Sequence, residues 1–514
     1  MGMKVEYICH ACLLVDTGDL RIVTDPWFAE PAFCEKWYVF PKPVRTDFIK
    51  DTDVILISHG HEDHLNEPTL KLFPKNARVF YPYSFFAGAK EFIESIGFED
   101  VKEAITFKTY KLSEKTSVTF IINSHDSIMV VESGGKVLVN ANDALHSSAA
   151  KVVDYYVKAI SERWPKIDIL FCGFGGASYF PNTIHFAQKD DYQISVVREQ
   201  LFAHTFCRIV QGLKPVVAVP FAADFCLLEE NQGWINDVRF PRAKMAEYYQ
   251  KHFHEDGYEP KIIDMYSGDV LEGTKLTRLS PYRKQMRDGG LGHLIEEQYK
   301  DEIAKKRQTN LIPETEAEKL VDEIRSNVEK RMTLFDYKKL KELKFSLHLT
   351  DVGENNFYDI AFNNKKVKVS RAKKPHADDL LTLNLSSKIL RYSIGSDWGA
   401  DVIAVGYGAE VQISDQRAAE VDLERVCMNL LACYPTHWDV NKTPLRTIKF
   451  LLLNPPSFTT AIRKLKKFTL ESDNYDRKTW LLKDAKEIRR RYKLPELEAE
   501  FLPLNDGTRR FLFF

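Results

Sequence analysis

The sequence predicts an α/β protein: an αββα sandwich over residues 1–275, a helical connector over 276–340, a smaller α+β domain over 341–440 and a basic C-terminal segment over 441–514. Three observations carry that expectation. Four apolar runs near Val54–Ser58, Val118–Asn123, Lys136–Asn140 and Val216–Pro220 read as buried strands, and each is followed closely by a histidine or a carboxylate. Helical patterns such as Pro68–Phe73 alternate with strand patterns such as Arg78–Tyr83, as layered α/β architectures require. The third is length: 514 residues exceed what one hydrophobic core usually serves, so two or three domains are expected.

Composition excludes several classes of function. The apolar content of 44% is ordinary for a globular chain, and 72 basic against 73 acidic residues leave a net charge of −1, so nothing global attracts nucleic acid or an anionic membrane. No stretch is apolar for long enough to span a bilayer, and the N-terminus shows no leader pattern, so a cytoplasmic protein is expected. Eight irregularly spaced cysteines then read as reduced thiols. Cys9-His10-Ala11-Cys12 is a tempting zinc pattern, but with no second cysteine pair at matching distance it reads better as buried structural cysteine.

Taken in order, residues 3–25 alternate around a turn at Thr17-Gly18-Asp19 and predict a β-hairpin ending at Asp25-Pro26. Asp25 can either orient a ligand histidine or make an Asx-type turn. Next comes Val54-Ile-Leu-Ile-Ser-His59-Gly-His61-Glu-Asp63-His64, an apolar run that breaks into three histidines and two carboxylates at a strand's C-terminal end. Open α/β sheets place ligands at such edges. Neutral imidazole and carboxylate are donors that zinc and iron accept, and this many donors on one short loop could serve two neighbouring ions. His125 follows the strand at Val118, and a glycine turn at Ser133–Gly135 joins two strands that deliver Ala141-Asn142-Asp143. Only Asp143 of these could be shared by two cations, because a bridging oxygen must be anionic to offset their repulsion. The loop Cys172–Pro181, with Gly175, Gly176 and Ser178, could approach a substrate or could simply be a tight turn. Val216–Pro220 leads into Ala222 and Asp224.

The His-x-His-x-Asp-His pattern at His59, His61, Asp63 and His64 resembles the signature of the metallo-β-lactamase superfamily. The resemblance implies that His59, His61 and His125 hold one ion, that Asp63 and His64 hold the other, and that Asp143 bridges them, with Asp63 and Asp143 closest to the chemistry. It also puts His10 near the site. Most members place a histidine where this chain has Ala222, so the second ion must lose a ligand or borrow Asp224. Asp25–Phe33, His61–Lys71, Phe174–Pro181 and Pro220–Ala222 further resemble the metallo-β-lactamase-like part of the CMP-N-acetylneuraminate hydroxylase family. That family implies insertion of oxygen into an N-acyl nucleotide sugar, with electrons arriving through a Rieske domain. A Rieske centre needs two cysteines and two histidines in paired motifs, which this chain does not supply, so a separate electron-donor protein or a small reductant is implied.

Downstream, Leu320, Val321, Ile324 and Val328 form one apolar face of a charged helix, and alternation at Phe345–Leu349, Val367–Val369 and Leu381–Leu385 predicts an α+β domain. Residues 379–390 faintly resemble the sterol-carrier-protein-like fold, although an ordinary packed core explains the same alternation. From Arg463 to Lys493 there are 12 basic and 5 acidic residues, either a solvated helix face or a docking surface for an acidic partner.

Three functions are open at this point. A diiron, O2-dependent oxygenase (a monooxygenase-like oxidoreductase) of a small polar substrate is favoured, with iron preferred over zinc or manganese. A zinc hydrolase would instead use a metal-bound hydroxide on an ester or phosphodiester. The third is a non-catalytic scaffold.

Overall fold

The first 24 residues reverse twice, so the expected hairpin is a three-stranded meander of Lys4–Cys9, Cys12–Asp16 and Arg21–Thr24, each paired antiparallel with the next. The second reversal is set by Thr17, whose hydroxyl donates to Asp19 Oδ1 at 2.7 Å and accepts the Leu20 amide at 3.1 Å, a local hydroxyl-to-backbone turn. In the computed structural model the residues described are 2–84, 88–123, 126–146, 148, 150–175, 182–186, 191–222, 224–308, 310–335, 340, 343–363, 366–396, 398–414, 423–432, 444–453 and 485–503.

Around the meander grows an eight-stranded sheet, in the order Lys275–Arg278, Val270–Glu272, Lys4–Cys9, Cys12–Asp16, Arg21–Thr24, Val54–Leu56, Arg78–Pro82, Asp100–Ala104. From Arg21–Thr24 onward the neighbours run parallel. A seven-stranded sheet stacks against it: Lys261–Ile262, Val217–Phe221, Ile169–Gly173, Lys136–Asn142, Asp126–Ser133, Thr116–Asn123, Thr109–Lys111. It too is antiparallel on its hairpin side and parallel from Lys136–Asn142 on. Parallel strands covered on both faces read as continuous apolar runs, which is why Val54–Leu56 and Val217–Phe221 look so uniform in sequence.

Val5, Leu13, Val54, Val118, Met129 and Val219 fill the space between the sheets. Helices Ala150–Arg163 and Asp191–Leu213 cover the outer face of the second sheet through Tyr156, Ile160, Phe206 and Val210. On the first sheet's outer face Leu70, Phe73 and Ile93 pack against Ile55 and Val79. The N-terminal part is therefore the αββα sandwich expected. Each buried aliphatic or aromatic side chain contributes roughly 1.5–3 kcal/mol relative to exposure, before the entropy of ordering it.

A third, six-stranded sheet follows the order Ile184–Phe186, Glu410–Ile413, Leu381–Leu385, Lys344–Leu349, Phe357–Asn363, Lys366–Ala372. Helix Glu314–Arg331 buries Ala317, Leu320, Ile324 and Val328, the stripe the 3.6-residue period predicts. The strand at 184–186 comes from the N-terminal half and pairs parallel with Glu410–Ile413, tying the halves by backbone hydrogen bonds. One apolar cluster runs through Ile55, Trp27, Phe33 and Trp37 to Tyr407, Ile403 and Leu347. Among the described residues no helix is long and apolar enough to cross a membrane. Of the basic segment, residues 463–484 lie outside the described residues, and Arg489–Arg491 sit on helix Ala485–Tyr492.

Candidate metal centre

Four strands of the sandwich break off sharply at one edge. His10, Asp25, Asn142 and Ala222, each one residue past or at the C-terminal end of its strand, have φ of 46°, 38°, 32° and 55°. A side chain in the left-handed region costs roughly 1–2 kcal/mol, and such positions gather where function holds them.

The loop after Val54–Leu56 is held from below. The Ser58 amide donates to Asp25 Oδ1 at 2.7 Å, and Asp25 Oδ2 lies 3.3 Å from His64 Nδ1. The Ser58 hydroxyl lies 2.9 Å from His59 Nδ1. With both Nδ1 atoms engaged, the Nε2 atoms of His59 and His64 are turned to the same space, the arrangement by which a ligand histidine's tautomer and orientation are set. His59 Nε2 is 2.9 Å from His61 Nδ1 and 3.7 Å from Asp126 Oδ1. His64 Nε2 is 3.4 Å from Asp63 Oδ2 and 3.6 Å from Asp143 Oδ2, and His10 Nε2 is 3.1 Å from Asp63 Oδ2. Two overlapping sets of ligand atoms result, His10/Asp63/His64 and His59/His64/Asp143, each with all atoms within 4.8 Å of one another.

These separations fit metal ions. Two ligand atoms on one tetrahedral ion at about 2.0–2.2 Å stand roughly 3.4 Å apart, near the spacings seen. Asp63 Oδ1 and His64 Nε2 are buried without a hydrogen bond among the described residues, a cost that a cation would remove. His59, His61, His64, His10, Asp63 and Asp143 could therefore hold two ions.

The groups already polarise one another. Burial would raise the Asp63 carboxyl, but His64 and His10 beside it hold it well below the usual range. Burial likewise opposes charge on His64, yet Asp63 and Asp25 keep it protonated far above an ordinary imidazole. Asp143 is held low against burial by His64, whereas burial pushes Asp126 up to about 7 despite His61. A cation displacing the His64 proton would inherit these partners.

Of the residues singled out from sequence, the structure brings His10, Asp25, His59, His61, Asp63, His64 and Asp143 to this edge. His125, Gly176 and Ser178 lie outside the described residues. Gly175 lines a neighbouring cavity of about 390 Å³ together with Phe174, Asp224, Arg239 and Arg242. Asp224, the residue the second ion would have to borrow, is paired elsewhere. Arg242 grips both of its oxygens and the Tyr7 hydroxyl donates to Oδ2 at 2.5 Å, so Asp224 is spent in a buried ion pair. His10 instead stands beside the second ion's expected ligands Asp63 and His64, while Ala222 offers none. Sequence reasoning missed Asp126, although it directly follows His125, and missed Trp398, whose Nε1 donates to the Gly60 carbonyl at 2.7 Å; no motif marks that tryptophan.

Residues 4–157 match the family described as "Beta-lactamase superfamily domain". The match, the αββα sandwich and the clustered donors place residues 4–157 in the metallo-β-lactamase superfamily, an enzymatic superfamily whose fold implies bound metal ions. Among curated proteins the chain is similar to the cytidine monophosphate-N-acetylneuraminic acid hydroxylase of Mus musculus, 26% identical over 253 residues, which are 46% of this chain and 41% of the mouse protein. The chain thus spans about two-fifths of that relative's length. Among solved structures it is similar to Igni18, a metallo hydrolase from Ignicoccus hospitalis, at 17% identity and TM-score 0.36 over 52% of this chain and 97% of that one. CmlA, a diiron β-hydroxylase from Streptomyces venezuelae, aligns at 16% identity and TM-score 0.36 over 52% and 54% of the two chains.

Proposed function

We propose that this protein is a dinuclear metal enzyme that uses O2 to hydroxylate a small polar substrate, of the N-acyl or nucleotide-sugar kind. The observation that carries this reading is the donor set. Imidazoles from His10, His59, His61 and His64 are mixed with carboxylates from Asp63, Asp143 and the adjacent Asp126, and no thiol is among them. Mixed nitrogen and oxygen donors with room left over can hold two irons, although zinc accepts the same atoms. The similarity to the sialic-acid-nucleotide hydroxylases supports the same reading. Two irons would supply the redox chemistry with dioxygen, which zinc lacks. The chain's residues would do the rest. His59 and His64 hold their Nε2 atoms inward through Ser58 and Asp25, Asp63 and Asp143 supply negative charge, and Asp126 stands 3.7 Å from His59 Nε2, where a bound cation would keep it ionised.

In a second reading the same donors hold zinc and the protein hydrolyses an ester or phosphodiester. It is favoured by the same imidazole and carboxylate donors, which zinc accepts, and hydrolysis needs no electron source.

The deciding measurement is the metal content of protein purified without added metal, followed by reduction and exposure to oxygen. Two irons per chain and oxygen consumption on reduction are expected. Zinc-filled protein that stays inert to oxygen after iron reconstitution, yet turns over model esters or phosphodiesters, would establish hydrolysis instead.

A further inference from the structure

Asp401 belongs to the C-terminal half, on the short helix Gly399–Ile403, yet its carboxylate stands within electrostatic reach of His61 and Asp63. It is 5% exposed, its Oδ1 makes no hydrogen bond among the described residues, and none of the described lysines or arginines pairs with it. Its seat is built to hold it there. Trp398, three positions earlier, donates to the Gly60 carbonyl in the middle of the metal loop, and the Tyr392 hydroxyl reaches Glu62 Oε1 at 3.4 Å. The two halves meet so closely that a Cβ on Gly406 would lie 2.5 Å from Phe33 Cβ, and the Phe33 amide itself donates to Glu62 at 2.7 Å. One on Gly399 would lie 2.0 Å from the Ser393 carbonyl oxygen, so the start of this helix packs backbone to backbone against the helix Ser387–Gly395.

A carboxylate oxygen buried without a hydrogen bond is costly unless the group takes up a proton or a cation meets it. Among the described residues no lysine or arginine meets this one. We propose that Asp401 is a carboxylate of the metal centre contributed by the C-terminal half, facing the ion on the His61 side through an intervening water. The third sheet and its helices then complete the site rather than merely accompany it. This rests on the reading of the His59–His64 loop as metal-binding.

The test uses the full-length chain loaded with cobalt(II), whose visible absorption reports its ligands. Asp401→Asn keeps the shape and removes the charge. Chelator competition is expected to show one of the two ions held at least tenfold more weakly, with an altered cobalt spectrum, while the metal-free variant melts no lower than metal-free wild type. Wild-type affinity and spectrum for both ions in Asp401→Asn, beside a wild type that binds two, would overturn this proposal alone. A lowered melting temperature of the metal-free variant with unchanged cobalt binding would do the same, because it marks a purely structural carboxylate. Wild type that binds no cobalt would overturn the metal reading as well. If Asp401→Asn does not fold, Asp401→Glu, which keeps the charge and moves the carboxylate by one methylene, replaces it: an altered cobalt spectrum with changed affinity for one ion supports the proposal, and a wild-type spectrum and affinity for both refutes it.

Discussion

Trp398 Nε1 donates a hydrogen bond to the carbonyl oxygen of Gly60 at 2.7 Å, across 338 positions of sequence. Gly60 lies between two ligand candidates, so the indole of the C-terminal half fixes the backbone of the loop that carries His59 and His61. Packing of the Trp398 ring edge-on to Phe92, with centroids 5.2 Å apart, fixes the indole in turn.

Replacing Trp398 by Phe removes that donor and one ring of the indole that packs on Phe92. A neutral hydrogen bond contributes about 1 kcal/mol, so the melting temperature should fall by a few degrees at most. Metal affinity should fall by more than stability does, several-fold in a chelator competition, because the loop loses its anchor.

Asp25 accepts from the Ser58 amide and faces His64 Nδ1. In Asp25→Asn the amide group can no longer hold a charged or metal-bound imidazole in the same way. Removing such an outer partner typically costs 10–100-fold in metal affinity, and that loss is expected by calorimetric titration with the fold retained in circular dichroism.

Asp224 gives the opposite pattern. Asp224→Ala strands the Arg242 guanidinium in the interior, which should destabilise the protein by about 3–5 kcal/mol in urea unfolding. Metal stoichiometry of the folded fraction should stay at the wild-type value. A lost ion in that variant would restore Asp224 as a ligand.

His204 sets a pH limit away from the metal centre. Burial, with His252 and Arg208 nearby, lowers its imidazole to about 4, against about 6.5 in an unfolded chain. Between these values the unfolded state binds more protons, so this contribution is fully present above pH 6.5 and is lost as pH falls toward 4. On the order of 2 kcal/mol is at stake. The difference between wild type and His204→Gln in denaturant midpoints at pH 7 and pH 4.5 should reveal it as a shallower acid slope in the variant.

Gly173 ends its strand against the metal edge, where a Cβ would lie 2.7 Å from the Asn142 carbonyl oxygen, a backbone atom that cannot move aside cheaply. Gly173→Ala should therefore cost about 1–3 kcal/mol of stability. It should also disturb the Asn142–Asp143 turn, read as weaker metal binding.

By itself the sequence determined the sandwich strands and the metal loop. Period and composition mark buried parallel strands, and four donors within six residues are brought together by covalent chain length, whatever surrounds them. The apolar stripe of Glu314–Arg331 was legible for the same local reason. What only the tertiary structure decided was which donors face one another. His10 reaches Asp63 because its strand ends beside the loop after Val54–Leu56, and Asp224 is paired with Arg242, 18 positions on. The strand at 184–186 joins a sheet otherwise built more than 150 residues later, and Trp398 reaches the Gly60 carbonyl from that same half. Such pairings depend on contacts between residues far apart in the chain, whose geometry no local period or spacing encodes.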